Sequence, residues 1–565
     1  MRPVESNPTS AKIRLPVSAA NGRLLKGYGP LVALLVAFVL MATMVPTAHQ
    51  LAGSGSGSGG LSAGSAGGSG GATAGTAGTA GGSAGSAAGS GVAAGGPGGS
   101  GTTNGGPATG HTVSCPGRQV QGDPYAPPCT QFSGGNGGAT SMGVTGDTIN
   151  VSYRVTNDPG FQQALASVGG AQLTDSPQDI QRTIQGLTDY FNTHFQFYGR
   201  KIKVTPYNGQ GSQTNELLGQ GQDKANADAI TVGQQMHSFA ELNGTTEPYA
   251  DSLAKQHVIA LGVPYLSQQW MAQRSPYAWS ILTECNDVVD TTTEFLDKEL
   301  AGQPAQFAGQ GLQGKPRKYA IIAPDNPWYQ DCANEAIKIA GQHGNQTTDD
   351  IQYQLNLSTL SNQAASVISK LSNDGVTTIF CGCDPVFPVY LTSRAREQGY
   401  NPEWVVAGVA LTDTDIVGQL FDQSQWTHAF GVSYAGATLP KQATLGYNAY
   451  KAVRPDEPAN AVDLIYAQMY MLAIGIQMAG PNLSPQSFEQ GMWAYPGSIP
   501  GAPNAEFGTW LMPQGHFTPQ IDSQIIYWDP NKISTYNSKK GAYVVASPRY
   551  RSGQYPSGPP HVFGH

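Results

Sequence analysis

Met142-Gly-Val-Thr-Gly-Asp-Thr-Ile-Asn-Val-Ser-Tyr-Arg-Val155 divides this 565-residue chain into two unlike parts. Before it stand a basic head, an apolar segment and a long run of Gly, Ser, Ala and Thr. After it, strand-like and helix-like segments alternate at once. The stretch itself ends in a β-branched, alternating run, Thr148 to Val155, which reads as the first strand of a folded α/β body.

Residues 1–26 carry Arg2, Lys12, Arg14, Arg23 and Lys26 against Glu5, a net +4. The whole chain is −8, so the rest carries −12. Residues 27–46 contain no charge, a length that suits a signal peptide or a short membrane-spanning helix. No A-x-A-like cleavage site follows it, and the first cysteine is Cys115, so an uncleaved anchor is expected. The basic head is then cytoplasmic and the body extracellular; cleavage would make it a secreted protein.

Residues 47–112 read as a linker. Between 53 and 110 there is no charge and no aromatic side chain, too little apolar surface to offset the entropy of folding. As a flexible coil it would span roughly 40 Å, and about 200 Å if drawn straight.

Six cysteines in an exported chain permit three disulfides. Cys115 and Cys129 bracket a loop in the lead-in, residues 113–142, and are expected to pair. Cys285, Cys332, Cys381 and Cys383 allow three pairings. Cys381 and Cys383 alternate along one strand, so opposite-facing side chains and no mutual bond are expected.

The body, about 400 residues, is too long for one core and suits two. Strand-like runs fall at 148–155, 201–207, 258–266, 318–323, 376–381 and 404–407, and residues 230–236 form a further short one. Ser176-Pro177 opens a helix whose apolar face is Ile180, Ile184, Leu187, Phe191 and Phe195. Leu360, Ala364, Val367, Ile368 and Leu371 form a second such face, closed by Gly375. Alternating β and α elements predict parallel sheets covered by helices.

In this order the segments resemble a known family. Gly143-Val-Thr-Gly-Asp-Thr-Ile-Asn-Val151 is similar to the opening strand of type I periplasmic solute-binding proteins, in particular the branched-chain amino-acid receptors of ABC importers. Phe191-Asn-Thr-His-Phe-Gln-Phe-Tyr-Gly-Arg-Lys-Ile-Lys-Val204, Ala260-Leu-Gly-Val-Pro-Tyr-Leu-Ser267, Tyr319-Ala-Ile-Ile-Ala-Pro-Asp-Asn-Pro-Trp-Tyr329 and Gly375-Val-Thr-Thr-Ile-Phe-Cys-Gly-Cys-Asp-Pro385 resemble later strands and turns of that family. The Cys-Gly-Cys-Asp-Pro turn and the tether depart from the best-known receptors and point to an actinobacterial branch. The resemblance implies two Rossmann-like lobes joined by a three-stranded hinge, with a ligand enclosed between them. Lobe one would comprise residues 143–283 and 435–520, lobe two residues 284–434 and 521–550, leaving 551–565 as a tail.

Ligands of open parallel sheets bind beyond the carboxyl ends of the strands. That rule gives Asn157, Asp158 and Phe161 after the first strand, and Gln234 and Gln235 after the run at 230–236. It also gives Ser267, Gln268, Gln269 and Trp270 after the strand at 258–266, then Tyr329, Cys383 and Asp384 in lobe two. The resemblance implies carboxylate binding near Ser267, closure by Tyr329 and an amine partner near Asp413. The amides and Trp270 depart from a hydroxyl-rich site and would equally suit a sugar, polyol, amide or aromatic solute. Bland roles compete: Trp270 and Trp328 as packing, Asp384 as a helix N-cap, Cys383 in a disulfide.

Catalysis is not indicated. Gly309-Gln-Gly-Leu-Gln-Gly314 precedes a strand instead of following one, so it fails the dinucleotide test. No ATP-binding loop, zinc-ligand spacing or nucleophile elbow occurs, and no cofactor or metal is expected. The acidic body disfavours nucleic acid. Two functions remain: capture of a small polar solute for an ABC permease, or a tethered surface sensor or structural module of the same fold. A filled cleft would favour the second.

Overall fold

The computed structural model describes residues 106–156, 158, 175–263, 265–502 and 505–564. The head, the apolar segment and the linker up to residue 105 lie outside it. The lead-in forms a small antiparallel hairpin, β1 (His111–Arg118) and β2 (Pro128–Ser133). Cys115 and Cys129 are bonded across it, as their spacing predicts.

The first sheet holds β3 (Thr148–Val155), β4 (Lys201–Asn208), β5 (Ala240–Glu241), β6 (Ile259–Leu261) and β7 (Ala278–Trp279). Its strands are parallel, in the order β4-β3-β5-β6-β7. Helix α1 (Pro177–His194) starts as expected: Ser176 Oγ accepts from the Asp179 amide at 3.1 Å, and Asp179 reaches back to the Ser176 amide. Ile184, Leu187 and Phe191 of α1 are buried in the first core. Three further helices on this half are α2 (Gln213–Leu217), α3 (Gln222–Ile230) and α4 (Glu247–Lys255). A short α5 (Gln268–Ala272) follows β6.

The second half begins with α6 (Cys285–Phe295), β8 (Tyr319–Pro324), α7 (Pro327–Gln342) and β9 (Thr347–Tyr353). Then come α8 (Leu360–Asp374), β10 (Thr378–Cys381), α9 (Phe387–Glu397), β11 (Glu403–Val406) and β12 (Ala429–Ser433). The chain next returns to the first half through α10 (Leu445–Lys451), α11 (Val462–Ala479) and α12 (Pro485–Trp493). Helix α11 is apolar on nearly every side because it lies within the first core. Finally β13 (Ser523–Ile533) and β14 (Lys540–Tyr550) join the second sheet as a hairpin. The strand order there is β14-β13-β12-β11-β10-β8-β9, parallel from β9 to β12 and antiparallel at β13 and β14. Gly375 closes α8 with φ +71°, the left-handed cap its position predicts.

Among the described residues the chain passes three times between the two sheets, at 280–284, 434–444 and 511–522. The crossings are bonded to one another. The Ser280 amide donates to Phe517 O (3.2 Å), and Thr283 Oγ1 to Gln520 Oε1 (3.0 Å). Arg549 clamps Asp522 (2.6 Å) together with the carbonyls of Tyr434 and Ala435.

Three expectations need correction. Cys381 and Cys383 are bonded to each other, and Cys285 to Cys332. The strand ends at Cys381, so pleat alternation stops there, and Gly382 turns the chain to bring the two side chains together. The run 230–236 is the end of α3 followed by a π-turn, Thr231–Gln235, while the strand forms later at Ala240. The run 258–266 is extended only to Leu261, because Gly262 adopts φ +112°.

Candidate functional site

β8 fixes the position of the main cavity. Its residues alternate: Ala320 and Ile322 enter the core facing α8 and α9, whereas Tyr319 and Ile321 face α6 and α7. On that second side the sheet and helices do not close. Helix α7 presents the small side chains Cys332, Ala333, Ala336 and Ala340 to that side. A cavity of about 400 Å³ remains. Its far end is lined by Tyr319, Thr347, Ala340 and Leu296, its middle by Ile321, Phe380, Val289 and Ala336. The mouth lies beyond the strand ends, between Thr214, Leu217, Tyr265, Tyr329, Asp384 and Leu411. From Tyr319 to Pro324 the strand advances roughly 17 Å, and lining residues run along that length.

Thr214 and Leu217 come from α2 and Tyr265 from the loop after β6, so the first half supplies part of the mouth. Two contacts join the halves beside it. Asn326 Nδ2 donates to the Leu217 carbonyl, and Tyr265 bonds to the backbone of Ala410 and Leu411. Tyr265, Ala410 and Leu411 all have positive φ (56°, 51° and 60°), an uncommon conformation concentrated at this rim. Leu411 remains 41% exposed.

The wall is apolar because its polar atoms are already satisfied inside the protein. Thr292 and Thr293 donate to the Val288 and Val289 carbonyls (2.6 and 2.7 Å), which leaves their methyl groups for the cavity. Thr214 donates to Asp158 at 2.9 Å. Asp384 accepts from the Tyr353 hydroxyl (2.6 Å) and from the Val386 amide (2.7 Å). Burial raises the pKa of Asp384, and pushes the Tyr329 and Tyr319 hydroxyls up to about 12. Among the described residues no Lys, Arg or His lines the space. An anion would therefore find no counter-charge in this wall.

Of the residues expected from sequence, Tyr329, Cys383 and Asp384 line the cavity. Asp158 stands behind it, holding Ser212 Oγ and the Thr214 amide at 2.7 Å each. Asp384 also caps the start of α9. Asp413 is buried and accepts from Ser433 Oγ at 2.6 Å, just past the lining loop, and burial raises its pKa. Asn157 and Phe161 lie outside the described residues.

The lobe-one amides and hydroxyl are not on this cavity. Gln234 and Gln235 are exposed after α3, with Gln234 paired to Gln256. Ser267 caps α5 by accepting from the Trp270 amide. Gln268 is bonded to Asn286 and Gly515. Trp270 donates to Glu247 and lies under the Arg274 guanidinium, 3.8 Å from the ring centroid. Gly309-Gln-Gly-Leu-Gln-Gly314 is a turn before β8.

Sequence reading overlooked Tyr265, Leu411 and the two helices of the cavity wall. One signal existed: Ala333, Ala336 and Ala340 repeat at helical spacing where a sheet-facing stripe calls for large side chains.

The family profile described as periplasmic binding protein matches residues 164–520. No curated protein matches the chain in sequence. Among solved structures, a fatty acid ABC transporter substrate-binding protein from Thermomonospora curvata aligns at 14% identity. It covers 75% of this chain and 98% of that one, with a TM-score of 0.51. The substrate-binding protein of an ABC transporter from Aeropyrum pernix aligns at 13% identity over 72% and 96%, also with a TM-score of 0.51. These likenesses concern the fold.

Proposed function

The chain belongs to the periplasmic binding protein family, and from that premise we propose that it is an extracellular receptor for an elongated, largely apolar solute. The observation that carries the reading is the apolar cavity of about 400 Å³ lined along the length of β8 and by helices α6 and α7. Its volume falls in the range of roughly 300–1,000 Å³ common for small-molecule sites. Each methylene buried there contributes about 0.8 kcal/mol. A long chain can thus be held tightly without a salt bridge.

The solute's polar end lies at the mouth, where Tyr265, Tyr329 and Thr214 converge. With Asp384 beside them and no cation in the wall, that end is uncharged, or an acid whose carboxylate reaches solvent past Leu411. The fatty acid named for the Thermomonospora curvata protein fits these demands better than the amino acid that the family resemblance suggests. Among the described residues no side chain fills the space, which favours a receptor over a structural module.

In this proposal residues 143–283 with 435–520 and residues 284–434 with 521–550 are two lobes. They rotate about the three crossings, and the ligand favours the closed arrangement through its higher affinity for it. Residues 27–46 anchor the receptor in the membrane, the linker holds it outside, and an ABC permease takes the solute. Tethering raises the effective concentration at that permease.

The test is a thermal-shift series on the full chain in detergent after delipidation. Saturated acids and alcohols of increasing chain length should raise the melting temperature progressively, whereas leucine, glutamine and glucose should not. A shift with leucine and none with the acyl series would overturn the proposal.

A further inference from the structure

We propose that Glu284, Asp287 and His516 form a binding site for a divalent transition-metal cation of the zinc class, at the joint between the two sheets. Glu284 immediately precedes α6 and Asp287 lies in its first turn, while His516 belongs to the third crossing. One carboxylate oxygen from each acid and one imidazole nitrogen lie within 4.8 Å of one another. More than 200 residues separate the histidine from the acids, which is why no ligand spacing shows in the sequence.

The three groups are prepared for a ligand that they do not find in one another. Glu284 is 1% exposed. Its Oε1 accepts from the Phe517 amide at 2.6 Å, but among the described residues its buried Oε2 has no hydrogen-bond partner. Among those residues Asp287 Oδ2 and His516 Nδ1 are buried without partners too. His516 Nδ1 stands 3.8 Å from Glu284 Oε2, too far for a hydrogen bond. Glu284 sits at the N-cap position of α6, yet its side chain makes no capping bond. Among the described residues, neither acid forms an ion pair with a lysine or arginine. Buried polar atoms in native proteins are seldom left so, at about 1–3 kcal/mol each.

One cation would satisfy all three. An imidazole nitrogen with two carboxylate oxygens suits zinc or a similar metal, whereas calcium and magnesium prefer oxygen alone. Bonds of about 2.1 Å place tetrahedral ligands some 3.4 Å apart, so the side chains must draw in by about 1 Å. One supporting contact already orients Glu284, the Phe517 amide, while Trp493 Nε1 donates to the His516 main-chain carbonyl at 2.8 Å and holds the backbone there. His516 is 28% exposed and gives the ion a path from solvent. A bound cation would tie the crossing at 280–284 to the one at 511–522. The site does not depend on which solute occupies the cavity.

Isothermal titration of zinc sulfate into the untagged, EDTA-stripped full chain tests it. One equivalent should bind, and His516→Ala and Asp287→Asn should each weaken binding by about tenfold or more. His343→Ala should leave it unchanged, since that histidine pairs with Asp297 at another place on the molecule. His516 is partly exposed, so its removal should spare the fold, as circular dichroism would verify. Wild-type zinc affinity in His516→Ala, or no stoichiometric binding by the wild type, would overturn the proposal.

Discussion

Replacing Ala336 by phenylalanine tests the cavity in two independent ways. In a packed core, such an enlargement costs about 1–3 kcal/mol because neighbours are forced off their rotamers. Ala336 instead faces the middle of a cavity of about 400 Å³, opposite Ile321 and Phe380. A ring directed there displaces empty space or solvent, and burying it contributes up to ~2 kcal/mol. Stability should therefore hold or rise, read as an unchanged or higher urea midpoint.

The same ring occupies the place of about four methylenes of an acyl ligand. At ~0.8 kcal/mol each the ligand loses ~3 kcal/mol, a weakening of roughly 100-fold in Kd. Displacement of a fluorescent acyl probe measures that loss. A variant destabilised by 1–3 kcal/mol that binds the probe like the wild type would refute the reasoning, because both results describe a filled core.

The remaining predictions concern what surrounds the cavity. Removing the Cys285–Cys332 bond with a paired serine substitution frees a 47-residue separation. Loop-closure entropy puts the loss near 4 kcal/mol, visible as a lower melting temperature under non-reducing conditions. Arg154→Met leaves Glu216 and Asp228 unpaired, where the guanidinium now sits 2.8 and 3.2 Å away. Stability should fall by about 3–5 kcal/mol. Acyl affinity should fall with it, since Glu216 anchors the helix that carries Thr214 and Leu217; unchanged affinity would detach that helix from the site. Glu299 is buried, with its pKa pushed up to about 8 by desolvation. The folded state then binds more protons than the unfolded one between about pH 4.5 and 8, so stability falls as pH rises through that window. Glu299→Gln should match the wild type at pH 5 and exceed it at pH 9 by a few kcal/mol; parallel melting curves across that range would contradict this.

The sequence by itself determined the α/β alternation, the parallel pairing of the strands it marked and the starts of α1 and α8, because these depend on local periodicity and capping. The face of α1, the Ser176 cap and the Gly375 stop could all be read that way. So could the pairing of Cys115 with Cys129, two neighbours around one short loop. Tyr329, Cys383 and Asp384 were legible as well, since they follow strand ends in sequence. Tertiary structure alone decided the rest. Whether Gln268 and Trp270 are free for a ligand depends on partners elsewhere in the chain, Gly515 and Glu247, and those partners hold them. Cys381 and Cys383 meet because the strand ends at Cys381 and the chain turns at Gly382, where alternation no longer applies. The apolar character of the cavity arises from small side chains on α7 opposite β8 and from threonine hydroxyls bonded back into α6. Periodicity marks which residues face inward, but only packing shows whether the space they face is filled.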